Sequence, residues 1–215
     1  MPDRTPPTRP ALNREYIAEV ALDLIDRIGL ATFSMRKLGA ELGADPMAAY
    51  RHFADQEDLY DGIAELLFDR LDADSLPWAT EWTELATAYC ERLRTTLLEH
   101  PQAVTVFASR PVRSPAAIGT GNRMLESLQA AGFGPADALR ITRCLREYTI
   151  GHALTMAVPT VDARRRSRKP APTDPAYNLL AEAADGATPG DHFDPGLQAM
   201  LNGFSAGRGR TRGRR

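Results

Sequence analysis

Apolar residues recur along this chain at intervals of three and four, and no stretch alternates strictly. Ile17, Val20, Ala21, Leu24, Ile25 and Ile28 form one helical stripe over residues 14–28. Asn13 stands before it as an N-cap and Gly29 closes it. Met35, Leu38 and Leu42 share a face of a shorter helix behind Ser34, with Gly39 leaving room for a close neighbour. Gly43 then occupies a helix end that favours left-handed backbone, and Asp45-Pro46 supplies an N-cap and a first helical residue. Two helices joined by so short a turn must cross steeply. Asp55 caps a fourth helix over residues 56–71, striped by Ile63, Leu66, Leu67 and Phe68.

Residues 72–80 break the pattern, which places a domain boundary near Asp74. Beyond it lie helical stretches at 81–100 (Leu85, Tyr89, Leu93 and Leu97 at intervals of four), 101–109, 116–131, 135–158 and 176–184, and a last helix from Asp194 through Phe204. A Pro- and Arg-rich linker spans 161–174. The expectation is an all-α chain: a disordered arm at 1–12, a three-helix helix-turn-helix domain at 13–73, a larger helical domain at 74–206, and a disordered basic tail at 207–215.

Composition excludes more than it selects. Of 215 residues, 43% are hydrophobic, enough for a real core. Cys90 and Cys144 lie far apart in apolar helical patterns and read as buried free thiols, which suits a reducing cytoplasm. No apolar run reaches the roughly 20 residues a membrane span needs, and the Pro-rich N-terminus is no signal peptide. The four histidines, His52, His100, His152 and His192, are isolated, and no phosphate-binding loop follows a strand. No catalytic constellation, metal site or cofactor is expected. Net charge is −2; residues 1–56 hold seven Lys/Arg against eight Asp/Glu. Any DNA contact must rest on where Arg36, Lys37, Arg51 and His52 sit rather than on total charge.

The run GLATFSMRKLGAELGADPMAAYRHFADQEDLYDGI resembles the DNA-binding domain of the TetR family of bacterial transcriptional regulators. The likeness rests on Ser34-Met35-Arg36, Leu42-Gly43, Tyr50-Arg51-His52-Phe53 and Glu57-Asp58-Leu59. In the second domain Trp82, Tyr89, Leu97-Leu98-Glu99-His100, Arg110-Pro111, Gly132-Phe133, Tyr148-Thr149-Ile150-Gly151 and Phe193-Asp194 resemble the tetracycline-repressor branch. The resemblance implies three N-terminal helices for DNA and a C-terminal domain for effector binding and dimerisation, with a four-helix bundle built from the 135–158 helix and the last helix of two subunits. It implies a cytoplasmic homodimer that binds double-stranded DNA and a small-molecule effector.

Carried onto this chain, Arg36 can reach guanine O6 and N7, a pair worth about 1–3 kcal/mol of discrimination. Pro46, Met47 and Ala48 open the recognition helix, where Met47 and Ala48 can touch thymine methyls. Arg51 can meet a base or a phosphate. Tyr50 and His52 resemble the family's phosphate contacts, and Ser34 serves as an N-cap, a phosphate donor or both. Gln56 stands where many members carry Lys, and Ala49 where a larger aliphatic is common. For the effector, Asp72 and Tyr89 fall at two positions of the tetracycline–magnesium site, but neither Val106 nor Phe107 is a histidine. A largely apolar pocket is implied instead, with candidates Phe68, Leu85, Tyr89, Leu93, Phe107, Met124, Leu128, Arg143, Glu147 and His152. Plain core packing is the alternative for each apolar one, and Arg143 and Glu147, four apart, can pair with each other. The expected function is a repressor released from a palindromic operator by a small molecule. An activator or ligand-independent regulator of the same fold stays open, as do an all-α enzyme and a protein-binding dimerisation module.

Overall fold

A computed structural model describes residues 11–161, 190 and 192–211, with the side chains of 46, 158–161 and 208–211 left aside. Every regular element among the described residues is helical, as the spacing predicts: α1 (Arg14–Ile28), α2 (Met35–Leu42), α3 (Pro46–Ala49), α4 (Gln56–Asp69), α5 (Trp82–Glu99), α6 (Val104–Ser109), α7 (Pro115–Ala130), α8 (Pro135–Val161) and α9 (Phe193–Thr211).

The starts follow from capping chemistry. Asn13, Ser34, Asp45, Asp55 and Ser114 each accept a hydrogen bond from a backbone N–H of the first turn of the helix that follows. Gly43 takes φ 58° at the end of α2, the left-handed geometry that lets α3 begin three residues later. Asp72 takes φ 48°, the one non-glycine positive φ among the described residues, where the chain leaves α4.

α1 packs on α4 and on α2, burying Ile17, Ala21, Leu22 and Ile25 against Leu38, Leu59, Ile63 and Phe53. In the second domain α5 packs on α8, flanked by α6, α7 and α9. Leu85, Tyr89, Leu93 and Leu97 all face inward, so the four-residue interval marked a buried face.

Several expectations shift. Leu12, assigned to the arm, packs half-buried against the core. The last helix begins at Phe193 and runs through Thr211, so the stretch from 207 to 211 is helical rather than a disordered tail. Cys144 is exposed on the outer side of α8, whereas Cys90 is buried and burial pushes its thiol up to about 11. The 176–184 helix, most of the 161–174 linker, residues 1–10 and residues 212–215 lie outside the described residues.

Candidate nucleic-acid interface and effector domain

The turn between α2 and α3 sets the first surface. Ala49 and Phe53 are fully buried beneath the second helix, while Met47 is 61% exposed and Tyr50 is 40% exposed above it. Arg36 and Arg51 are exposed beside them, Ser34, Ala48 and His52 are half-buried, and the Pro46 side chain lies outside the described set.

Two polar groups are less free than the sequence suggests. Lys37 donates its Nζ to the Thr32 carbonyl at 2.6 Å, and Gln56 donates Nε2 to the Tyr60 hydroxyl at 2.7 Å. Ser34 Oγ accepts from the Lys37 amide, so its capping role is filled.

A network that sequence spacing did not suggest fixes this surface. Arg14 donates to the His52 carbonyl at 2.5 Å and to both carboxylate oxygens of Asp58, with its guanidinium 4.2 Å from the Phe53 ring centroid. Asp58 also accepts from the Ala54 amide. The Arg14 hydrogen bond, then the Ala54 bond, hold the Asp58 carboxyl below its usual range. α1, α4 and the end of the recognition segment are thereby bound together. Arg14 and Asp58 are 44 residues apart, and no periodicity links them.

Phe68 of α4 and, in the second domain, Leu85, Tyr89, Leu93, Phe107, Met124 and Leu128 are all buried in one cluster. Burial pushes the Tyr89 phenol up to about 12. Arg143 and Glu147 depart from expectation: both side chains are exposed. α8 turns Ile141, Leu145, Thr149 and Ala153 inward, which points positions 143 and 147 away. No ion pair joins them among the described residues; Arg146 is the arginine that reaches the pocket candidates, 5.4 Å over Phe107. The apolar residues of α8 run almost all the way round, so the pattern alone could not orient it. His152 is buried, but its neighbours are Phe193 at 4.8 Å and His192 at 5.0 Å. It belongs to the α5–α8–α9 junction. Asp72 is exposed on the α4–α5 connector, and Val106 and Phe107 are buried. This donor set does not fit a magnesium-bound ligand, and among the described residues no group of three or more His, Cys, Asp or Glu gathers.

Two clasps join the domains. Arg110, following α6, donates to the Glu57 carbonyl at 3.1 Å, to Asp61 at 2.6 Å and to the Glu57 carboxylate. At the far end of α4, His100 bridges Asp26 (Nδ1, 2.5 Å) and Arg70 (Nε2, 2.7 Å).

A helix-turn-helix with exposed Met47 and Tyr50, carried on a larger helical domain, defines a DNA-binding transcriptional regulator. Residues 76–207 match the family described as "Tetracyclin repressor-like, C-terminal domain". An HTH-type transcriptional regulator of Saccharopolyspora erythraea is 31% identical over 95% of this chain and 89% of its own length. The class A tetracycline repressor of Escherichia coli is 27% identical over 90% of this chain and 91% of its own. The crystal structure of a possible TetR family regulator from Streptomyces coelicolor superposes with a TM-score of 0.76 at 29% identity, covering 90% of this chain and 99% of that one. The chain belongs to the TetR family of transcriptional regulators. Its relatives are regulators rather than enzymes, and no helix among the described residues is long and apolar enough to cross a membrane.

Proposed function

We propose that this protein is a homodimeric repressor that leaves a palindromic operator when a small molecule binds among the helices of its second domain. Residues 13–73 form the DNA-binding unit and 74–206 the effector and dimerisation unit. The observation that carries this reading is the exposed face of Met47, Tyr50, Arg36 and Arg51 over a buried anchor of Ala49 and Phe53. On that face Arg36 and Met47 read base edges, while Tyr50, Arg51 and His52 meet phosphates. Gln56, tied to Tyr60, contributes at most a neutral contact.

Dimerisation falls to α8 and α9. A Cβ built on Gly151, or on Gly203 of α9, would meet nothing within 4 Å, so these faces are open in one protomer and admit close helix approach. Two recognition helices joined this way meet grooves about 34–36 Å apart. Effector binding among Phe68, Leu85, Tyr89, Leu93, Phe107, Met124 and Leu128 shifts α6, and Arg110 carries that shift to α4.

Titrating a palindromic fragment upstream of the regulated gene tests the reading. Arg36→Ala and Tyr50→Phe each weaken binding; full affinity retained in both contradicts it.

A further inference from the structure

Both tryptophans of the chain stand at one groove, between the α4–α5 connector and α7. Its volume is about 460 Å³, within the range of small-molecule sites. Trp82 is buried and meets Phe133 edge-on, with centroids 5.1 Å apart. Trp78 is half-buried and anchored by its Nε1–H, which donates to the Ala73 carbonyl at 3.0 Å. The aromatic platform is therefore held in place before anything lands on it.

One cation already lies on that platform. The Arg123 guanidinium sits 3.8 Å from the Trp78 ring centroid. Its other partner is Asp74 at 3.3 Å, and the Asp74 side chain is fully exposed. The Arg123 side chain is itself 42% exposed, so solvent screening leaves this tether weak. Glu81 and Glu126 line the same groove, exposed, and no ion-pair partner for either exists among the described residues. On its other side Arg123 borders a second groove of about 360 Å³ that carries Asp69 and Asp72. Asp72 is shared with Arg92, but the balance around Arg123 remains acidic.

We propose that this groove binds an organic cation, with Trp78 as its π-face, Glu81 and Glu126 as its counter-charges, and Arg123 as an internal competitor that swings away when the ligand arrives. A tryptophan face attracts quaternary or protonated amines more strongly than any other side-chain ring. The carboxylates repel an anion, and a neutral ligand gains nothing from the platform beyond its area. The site is distinct from the buried cluster proposed for the effector, and its occupancy can be read without DNA.

Because the chain has only these two tryptophans, its intrinsic fluorescence reports on this groove. The full-length protein is titrated with choline and, in parallel, with 3,3-dimethylbutan-1-ol, its uncharged isostere. Choline is expected to change the emission saturably in the millimolar range, and the alcohol is not. Arg123→Gln removes the competitor and tightens choline binding by about two- to fivefold. Glu126→Gln weakens it, and Trp78→Leu abolishes it while Trp82 still reports. Arg123 is too exposed for its replacement to threaten folding. Equal responses to choline and the alcohol, no response to choline, or unchanged affinity in Arg123→Gln would each overturn the proposal. Loss of operator release with choline binding intact would count against the repressor reading alone.

Discussion

Replacing Arg110 removes the polar clasp between the end of α6 and the first half of α4. The Arg110 side chain is 16% exposed, whereas those of its partners Glu57 and Asp61 are 69% and 57% exposed. Shielded hydrogen bonds to charged groups contribute about 1.5–3 kcal/mol each, and fully exposed ion pairs about 0.2–1. Mobile, hydrated carboxylates pull both contacts toward the lower range. The bond to the Glu57 carbonyl adds about 1 kcal/mol, and the stem and guanidinium also pack on the Tyr60 ring at 5.4 Å. Arg110→Ala is therefore expected to cost about 2 kcal/mol, a melting-temperature drop of about 4–8 °C for a chain of this size. Thermal unfolding followed by circular dichroism measures it. Arg110→Lys keeps the charge but loses the fork, and it should recover less than half of the loss. The same variant should bind operator yet respond weakly to effector. A melting temperature within about 1 °C of the parent, together with an unchanged effector response, would refute both the energetic and the coupling argument.

Gly62→Ala places a Cβ 2.8 Å from the buried Phe53 ring, so overpacking of about 1–3 kcal/mol meets a helix-propensity gain of about 1; denaturant unfolding should show a net loss, and operator affinity should fall as Phe53 shifts under the recognition segment. His152 is buried, neither ring nitrogen has a hydrogen-bond partner among the described residues, and its pKa is lowered chiefly by burial, then by Arg94 and His192, against a smaller opposing pull from Asp194. The unfolded chain thus binds its proton first, so stability should fall as pH drops below about 6.5 toward the lowered folded value. In His152→Phe, melts across that range should be flatter, and an identical slope would remove His152 as the cause. Asp58 works at lower pH: its carboxyl is depressed by Arg14, so its contribution is complete above the ordinary carboxylate range and lost as pH falls through the folded value. Arg14→Met should therefore unfold in acid at a higher pH than the parent, with a shallower loss of stability on the way down, because only the Ala54 amide still favours the ionised Asp58; an unchanged acid midpoint and slope would remove the pair as a cause.

How much the sequence revealed depended on the range of the signal. Caps at Asn13, Ser34, Asp45 and Asp55, and the left-handed Gly43, are local choices, and each appears where the residue types put it. The α5 stripe buries as its spacing requires; in α1, Ile17, Ala21, Leu24 and Ile25 are buried, Val20 and Ile28 are half-buried, and Leu22, outside the stripe, is fully buried. The orientation of α8 was not legible, because apolar residues lie around most of its circumference; Arg143, Cys144 and Glu147 were read inward and face outward. The tail from 207 to 211 looked too glycine- and arginine-rich for a helix, yet α9 extends through it from a well-packed start at Phe193 and Leu197. Least legible were the Arg14–Asp58 and Arg110–Asp61 ion pairs and the Asp26–His100 hydrogen bond, between residues 44 to 74 positions apart. Charge patterning carries no information at that separation.

Those long-range pairs also explain how a rigid core can still transmit a signal. α4 is gripped at both ends by polar clasps rather than by apolar packing alone. At its start Arg110 holds Glu57 and Asp61; at its end Arg70 donates to His100 Nε2. For that nitrogen to accept, the His100 proton must sit on Nδ1, where it donates to Asp26 of α1. One imidazole therefore ties α1, α4 and the end of α5 in a single tautomer. Packed interfaces switch between discrete arrangements rather than deforming continuously, and a hydrogen-bonded clasp adds a contact that is either made or broken. Moving operator occupancy from mostly bound to mostly free requires a differential of a few kcal/mol between two states. Breaking one such clasp costs an energy of that order, which the effector's tighter binding to the shifted state must exceed. On the proposed reading, an effector that displaces α6 releases Arg110, and α4 is then free to pivot about the His100 end with the Arg14–Asp58 network and the recognition segment attached.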